Sequence, residues 1–349
     1  MKHEHFKILG GGIAGLAAAI ALARQGHSVE ILEKTARFES FGAAIQLGPN
    51  AVRALQKIGA WDAVQPATYA PPALHFRNGT SGKLIKEVKL GAGFDRLFGQ
   101  PYRVIFRADL HAALLQVVKT LPKIKVTMGV TADPSTFGGT VIAADGIWSK
   151  TRAQLFPDSG VSINSTILFR AMIEMPKQAE INFECVNLWF YPGAHLVHYP
   201  AGQNAKLNVV FNGPQSGPSH HLESASSNLK NLVAQIPNWT EWTAAHVHPL
   251  RHWHKGNILL IGDAAHGTLP YLAQGAAMAL EDAAALLTTT DPVEFESLRM
   301  ARCAKLHQQT SRVGKIYHFS GVKALARDTA LRLTSDAAFL SRLAWLYKE

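Results

Sequence analysis

The sequence predicts an α/β fold: a nucleotide-binding unit on a parallel sheet, an antiparallel sheet inserted into it, and a helical C-terminus. Three observations carry this expectation. The chain opens strand, glycine turn, helix, strand; its texture changes to long alternating strands after residue 165; and a second buried strand runs into Gly262-Asp263.

In the opening, residues 6–9 form an apolar strand, and Gly10-Gly11-Gly12-Ile13-Ala14-Gly15 the turn. Residues 16–25 form an alanine-rich helix stopped by Gly26. Gly10, Gly12 and Gly15 fit G-x-G-x-x-G, and Glu33, followed by Lys34, ends the next strand 18 residues after Gly15. Glycines let the backbone approach a pyrophosphate, the helix N-terminus meets its negative charge, and the acid accepts ribose hydroxyls. The set points to one bound adenine dinucleotide. Residues 6–23 also imitate a secretory leader, but Gly10, Gly11, Gly12 and Gly15 weaken a leader helix. No other apolar run approaches the ~20 residues of a membrane span.

Further on, residues 49–58 read as a helix ended by Gly59. Residues 73–90 read as two strands about Asn78-Gly79, 107–121 as a helix, and 141–144 as a strand running into Asp145-Gly146. Strands at 166–175, 182–191, 195–200 and 206–211 make the antiparallel sheet. Residues 214–227 read as a loop, 259–261 as a strand, 276–288 as a helix, and everything beyond Asp291 as helical. The expected division is 1–72, 101–160 and 248–290 for the nucleotide domain, 73–100 and 161–247 for the sheet domain, and 291–349 for the helical segment.

Composition narrows the function. The 349 residues carry 35 Lys+Arg against 25 Asp+Glu, a net +10, with 47 % hydrophobic residues, which excludes a disordered chain. The basic residues are scattered without a run of five, which argues against nucleic acid and suits an anionic cofactor and a small acidic substrate. Two cysteines, Cys185 and Cys303, exclude a disulfide scaffold and suit a reducing cytoplasm; no Cys/His spacing reads as a metal site.

Several segments together resemble the single-component FAD-dependent aromatic hydroxylases, nearest the salicylate-hydroxylase-like branch. They are GGGIAG with Glu33, VIAADGIWSKTR (141–152) and LLIGDAAHGTLPYLAQGAAMALEDA (259–283), supported by GAAIQLGPNAVRAL (42–55), YRVIFRADLHAALL (102–115), WFYPGAHLVHYP (189–200), SRVGKIYHFSG (311–321) and AWLYKE (344–349). The resemblance implies a Rossmann-like FAD-binding domain with an inserted antiparallel β-sheet substrate domain. It implies NADH or NADPH as co-substrate, O2 activated as a flavin hydroperoxide, and hydroxylation of a small phenolic or hydroxybenzoate-like acid; the alternatives are FAD-dependent epoxidation or dehydrogenation of a non-phenolic substrate, or flavin binding without catalysis, and a homodimer is compatible with it.

Residue by residue, Glu33 would hold the adenosine ribose and Arg107 would face the phosphates or ribityl chain. Asp263 would bond the ribityl or pyrophosphate region, and Asp145 would serve FAD and the visiting nicotinamide. The turn at Leu272, Gln274, Gly275 and Ala276 would present backbone N–H groups to the flavin. Strand alternation puts His195, Val197 and Tyr199 on one face and Leu196 and His198 on the other. In the family a His and Tyr at this spacing lie in the substrate pocket, so His195 would deprotonate the phenol and Tyr199 orient it.

Three departures stand out. Gly267 replaces a usual Pro, which predicts a looser loop; Thr268, Leu269 and Pro270 occupy positions where relatives vary their pocket. The stretch 126–141 is too short for the β-meander that relatives carry there, which predicts weaker FAD binding.

Overall fold

The computed structural model describes residues 4–38, 43–176, 181–202 and 206–348. Gly42, which opens one of the resembling segments, lies outside them. In chain order the strands are β1 (His5–Leu9), β2 (Ser28–Glu33), β3 (Ala44–Leu47), β4 (Ala73–Asn78), β5 (Leu84–Lys89), β6 (Arg103–Phe106), β7 (Ile124–Met128) and β8 (Thr140–Ala143). Then come β9 (Val161–Ile173), β10 (Val186–Tyr191), β11 (Ala194–Ala201), β12 (Lys206–Gly213), β13 (Thr240–Val247), β14 (His254–Lys255) and β15 (Ile258–Leu260).

The first sheet runs β14-β15-β8-β1-β2-β7, parallel from β15 to β7. Its strands are apolar because helices cover them. The helix Ile13–Arg24 is buried from Gly15 to Ala23 and packs against the helix Gly275–Leu286. That packing brings the first and last motifs of the chain together. Gly10 has φ +103°, and a Cβ there would lie 2.5 Å from the Ala144 carbonyl oxygen. At Gly15 a Cβ would lie 2.0 Å from the Gly10 carbonyl oxygen, so the turn closes only with glycine at both places.

The second sheet runs β13-β9-β12-β11-β10-β4-β5. Its neighbours are antiparallel except β10 and β4, which pair parallel. The difference has a topological cause: the β4–β5 hairpin arrives from the first third of the chain and docks on an edge left free by β10–β11. Trp189, Leu196 and Phe211 point to one face, covered by the helices Gly217–His221 and Ser227–Ala234. The loop expected at 214–227 is therefore partly helical, because Leu222 and Ala225 bury themselves against that face. The other face looks toward the first sheet across a cavity.

Between β7 and β8 the short connection makes one 3-10 turn, Pro134–Thr136, begun by the Asp133 side chain accepting from Ser135 N. It is tied to the end of β2: Val130 N donates to the Glu33 carbonyl at 2.9 Å and Gly129 N to that of Thr35 at 2.9 Å.

Candidate active site

Two cavities meet at the glycine turn. One, of about 560 Å³, is lined by Gly10, Gly12, Glu33, Lys34, Asp145 and the short connection at 130–134. Glu33 is fixed on both oxygens, Oε2 accepting from Gly11 N at 2.7 Å and Oε1 from Thr35 N at 2.9 Å. Burial alone would raise its pKa, but the hydrogen bonds from Gly11 and Thr35 hold it below the ordinary value. It stays charged and keeps lone pairs for a ligand hydroxyl. Asp145 accepts from Thr151 N at 3.1 Å through Oδ2, while its Oδ1 is buried without a protein partner. The helix Ile13–Arg24 begins at Gly12 with no side-chain cap, and a Cβ on Gly12 would meet nothing within 4 Å. Free N–H groups thus face open space, as a bound diphosphate requires.

The other cavity, of about 370 Å³, runs from Ile13 and Ala14 past Arg107 and Asp263 to the face of the second sheet. Asp263 is open to the cavity yet enclosed by protein, and that burial raises its pKa against the pull of His266 and Arg107. Ala273 has φ +54° and is the sole non-glycine with positive φ among the described residues. Its turn leads into the helix Gly275–Leu286, whose start has no side-chain cap. Ala273, Gly275 and Ala276 line the cavity; Leu272 leans into the core, and Gln274 is buried, accepting from Asn50 Nδ2 at 2.8 Å. Of the turn expected to face the flavin, the structure therefore brings Gly275 and Ala276 to the wall and turns the side chains of Leu272 and Gln274 away. Pro270 and Thr268 line it as well. At the loop expected to be looser, the Gly267 carbonyl accepts from Val247 N at 2.8 Å.

The sheet face contributes His195, Val197 and Tyr199, together with Leu168, Arg170 and Val210 from the neighbouring strands. His195 Nδ1 is 2.9 Å from His318 Nε2, which leaves its Nε2 for the cavity. The ring is packed by Tyr317 at 5.3 Å and Tyr271 at 5.5 Å between centroids. Burial, then the neighbouring His318, pushes the His195 pKa well below 6.5, so the ring is neutral. The Tyr199 hydroxyl donates to the Ala44 carbonyl at 2.9 Å, and burial raises its pKa to about 12. Its proton is committed; an oxygen lone pair remains for a ligand.

Sequence reasoning missed Arg170 and His318, and the left-handed conformation of Ala273 within the turn it did single out. Arg170 is half-buried, its enclosed Nε has no hydrogen-bond partner, and its guanidinium lies 5.0 Å from the Trp242 ring. The alternation of β9 could have shown it on the cavity face. His266, Asp282 and Cys303 bring potential metal ligands within 4.8 Å of one another. The Asp282 carboxylate is already used, accepting from Gly262 N at 2.8 Å, His266 Nε2 at 2.6 Å and Arg299 Nε at 2.8 Å. This network braces the turn that carries Asp263.

The orphaned Asp145 oxygen, the open space at Gly12 and the uncapped helix starts at both cavities fit a long dinucleotide lying across them, as FAD would. Comparisons with known proteins agree. A family model described as FAD binding domain matches residues 219–290, and one described as NAD(P)-binding Rossmann-like domain matches 8–49. The chain is 31 % identical over 379 aligned positions to a 3-hydroxybenzoate 6-hydroxylase of Polaromonas naphthalenivorans (strain CJ2), covering 97 % of this chain and 94 % of that protein. It is 30 % identical to a 3-amino-4-hydroxybenzoate 2-monooxygenase of Streptomyces cremeus, with 97 % and 94 % covered. In fold it is similar to Klebsiella pneumoniae HpxO complexed with FAD and uric acid (TM-score 0.84, 20 % identity, 97 % and 95 % covered). A salicylate hydroxylase substrate complex is also similar (TM-score 0.77, 22 % identity, 99 % and 96 % covered). Since 30 % identity over nearly the full length of both chains reaches beyond fold alone, this chain belongs to the FAD-dependent aromatic hydroxylases, is an oxidoreductase of the flavoprotein monooxygenase kind, and takes FAD as its cofactor.

Proposed function

We propose that the chain hydroxylates a small aromatic acid that carries a ring hydroxyl, a hydroxybenzoate-like compound, with NADH or NADPH and O2 as co-substrates. The observation that carries this reading is Arg170, a half-buried cation whose Nε is enclosed without a hydrogen-bond partner, on the same sheet face as the neutral His195. An enclosed guanidinium N–H left without an acceptor is costly, and a carboxylate matches the guanidinium fork. Arg170 and His195 stand on strands two apart, β9 and β11, roughly 10 Å between backbones. A benzene ring with an acid at one end and a hydroxyl at the other bridges such a gap. His195 Nε2 then accepts the phenolic proton, and Tyr199, held by its hydrogen bond to Ala44, walls the ring on the same face.

FAD, when bound, supplies the reduction of oxygen and its transfer. Glu33, Lys34 and Asp145 would hold its adenosine half, Arg107 and Asp263 its middle, and Gly275 and Ala276 its ring. In this reading 1–72, 101–160 and 248–290 form the FAD portion and 73–100 with 161–247 the substrate portion. The segment 291–349 packs Tyr317 and His318 against His195. Cys185 and Cys303 are free thiols, and no described helix is long and apolar enough to cross a membrane, which supports a cytoplasmic enzyme.

The test is NAD(P)H oxidation by the FAD-loaded protein against 3-hydroxybenzoate, other phenolic acids, benzoate and 3-hydroxybenzamide, with product mass measured. A phenolic acid gaining one oxygen, with the amide at least tenfold poorer in kcat/KM, is expected. Failure of every phenolic acid to gain oxygen would overturn the reading.

A further inference from the structure

A base buried as deeply as His195 faces a difficulty. Accepting a phenolic proton would turn it into an imidazolium enclosed by Tyr271 and Tyr317, with Arg170 in the same cavity. Desolvation opposes that charge. The structure offers a way around it. His195 Nδ1 and His318 Nε2 are 2.9 Å apart, the ring centroids 5.2 Å, and no other side chain bonds His195 Nδ1 among the described residues. His318 follows the helix Pro292–Tyr317 and is only half-buried, and its carbonyl accepts from Gly193 N at 3.1 Å, which clamps it to the β10–β11 turn. A path thus leads from the cavity, through one imidazole, to a second that reaches toward solvent.

We propose that His318 relays the phenolic proton from His195 to solvent, so that His195 never has to hold a full positive charge. The inference rests on the reading of His195 as the phenol base. In the resting state both rings are neutral with hydrogen on Nδ1, and His195 donates to His318 Nε2. As the substrate O–H bond breaks and an N–H bond forms at His195 Nε2, the His195 Nδ1–H bond breaks and an N–H bond forms at His318 Nε2. His318 then releases its Nδ1 proton to water. Phenol becomes phenolate, solvent gains one proton, and both rings end neutral with hydrogen on Nε2. Reprotonation of the product phenolate runs the same path backward and resets both tautomers.

The titratable and charged groups that face this pair are Tyr271 and Tyr317 around His195, Arg170, Arg107, Tyr199 and Asp263 along the cavity, and His221 beside His318. Burial and His221 lower the His318 pKa to about 4, so it too is neutral near pH 7 and free to accept.

The experiment has two arms, both on the FAD-loaded protein. Histidine ¹⁵N NMR at pH 7, with signals assigned from His195→Asn and His318→Gln, should find hydrogen on Nδ1 of both rings. Hydrogen on His195 Nε2 would overturn the proposal with no substrate present. In stopped-flow under anaerobic conditions, 3-hydroxybenzoate should deprotonate at least about tenfold more slowly in His318→Gln than in wild type. Gln keeps an acceptor for His195 Nδ1 and so preserves its position, but it cannot pass a proton on. An unchanged rate in His318→Gln alone would make His318 a positioning residue only. Unchanged phenolate formation in His195→Asn would instead sink the phenol-base reading itself. Should 3-hydroxybenzoate not bind, the tautomers decide.

Discussion

The two faces of the seven-stranded sheet each bury a histidine on β11, three residues apart, and the two have opposite surroundings. His195 has a hydrogen-bond partner and a nitrogen turned to a cavity. His198 has neither ring nitrogen satisfied, no exposure, and sits against Phe183 and Trp189 at 5.2 Å and 6.2 Å between centroids. Burial lowers both pKa values, that of His198 to about 3. A perturbed pKa therefore does not distinguish a site from a core. Access and a proton partner do, and both follow from a strand register that sends alternate residues to alternate faces.

Replacing His195 by Asn breaks the comparison most strongly. Product formed per NAD(P)H consumed should fall by about 10²–10⁴-fold, with peroxide in its place and FAD still bound. Because burial keeps the wild-type ring unprotonated, wild-type coupling should stay flat from pH 6 to 9 and show no acid limb. Coupling in the variant should climb toward pH 9 as solvent deprotonates the phenol. Oxygen and product balances across that range are the check, and wild-type coupling in the variant would assign His195 to structure.

Next in size is Arg170→Met, which keeps the stem and removes the cation. KM for a phenolic acid should rise about 10²-fold while a neutral phenol is little affected. Equal losses for acid and neutral substrates would show that the cavity face lacks an anion site.

Glu33→Gln asks whether the cavity face depends on the flavin cradle. Loss of a charge-assisted hydrogen bond should weaken FAD by about 10–10²-fold. Dialysis should then strip the variant faster than wild type and lower its Tm by mass action, with the packing around Trp189 intact by near-UV CD. An unchanged FAD Kd would place the ribose elsewhere.

The smallest effect belongs to His198→Leu, which removes two unsatisfied nitrogens and should add about 1 kcal/mol at pH 7 without touching coupling. Its pH dependence has a definite sign. The unfolded histidine binds a proton below about 6.5 and the folded one only near 3, so wild type loses up to ~1.4 kcal/mol per pH unit between those values. The variant should lose less over that window in urea titrations. A variant more acid-labile than wild type would mean that His198 has a hydrogen-bond partner after all.

Much of this was legible in the sequence wherever a few consecutive residues decide the outcome. Gly10, Gly15 and Glu33 declare themselves by spacing, and the cavity side of β11 by alternation. What stayed hidden is non-local. Arg170 reads as a surface residue until β9 is known to have a cavity on one side. His318 meets His195 across 123 positions. Ala273 holds a left-handed conformation that composition would assign to glycine, because the surrounding turn dictates it. The short stretch at 126–141 was visible as a departure, but its hydrogen bonds to the end of β2 were not.

The strand order of the first sheet also dictates when, during synthesis, the protein can become a flavoprotein. β1 and β2 leave the ribosome first, yet the sheet needs β8 from residue 140 onward and then β15 from residue 258 to cover it. The second sheet is made in between and must fold while the first still has an open edge. Asp263 and the helix Gly275–Leu286 come later still. Such distant pairings fold slowly and leave strand edges exposed to aggregation meanwhile. Flavin retention on a stalled nascent chain should therefore begin only once residue 286 has cleared the exit tunnel.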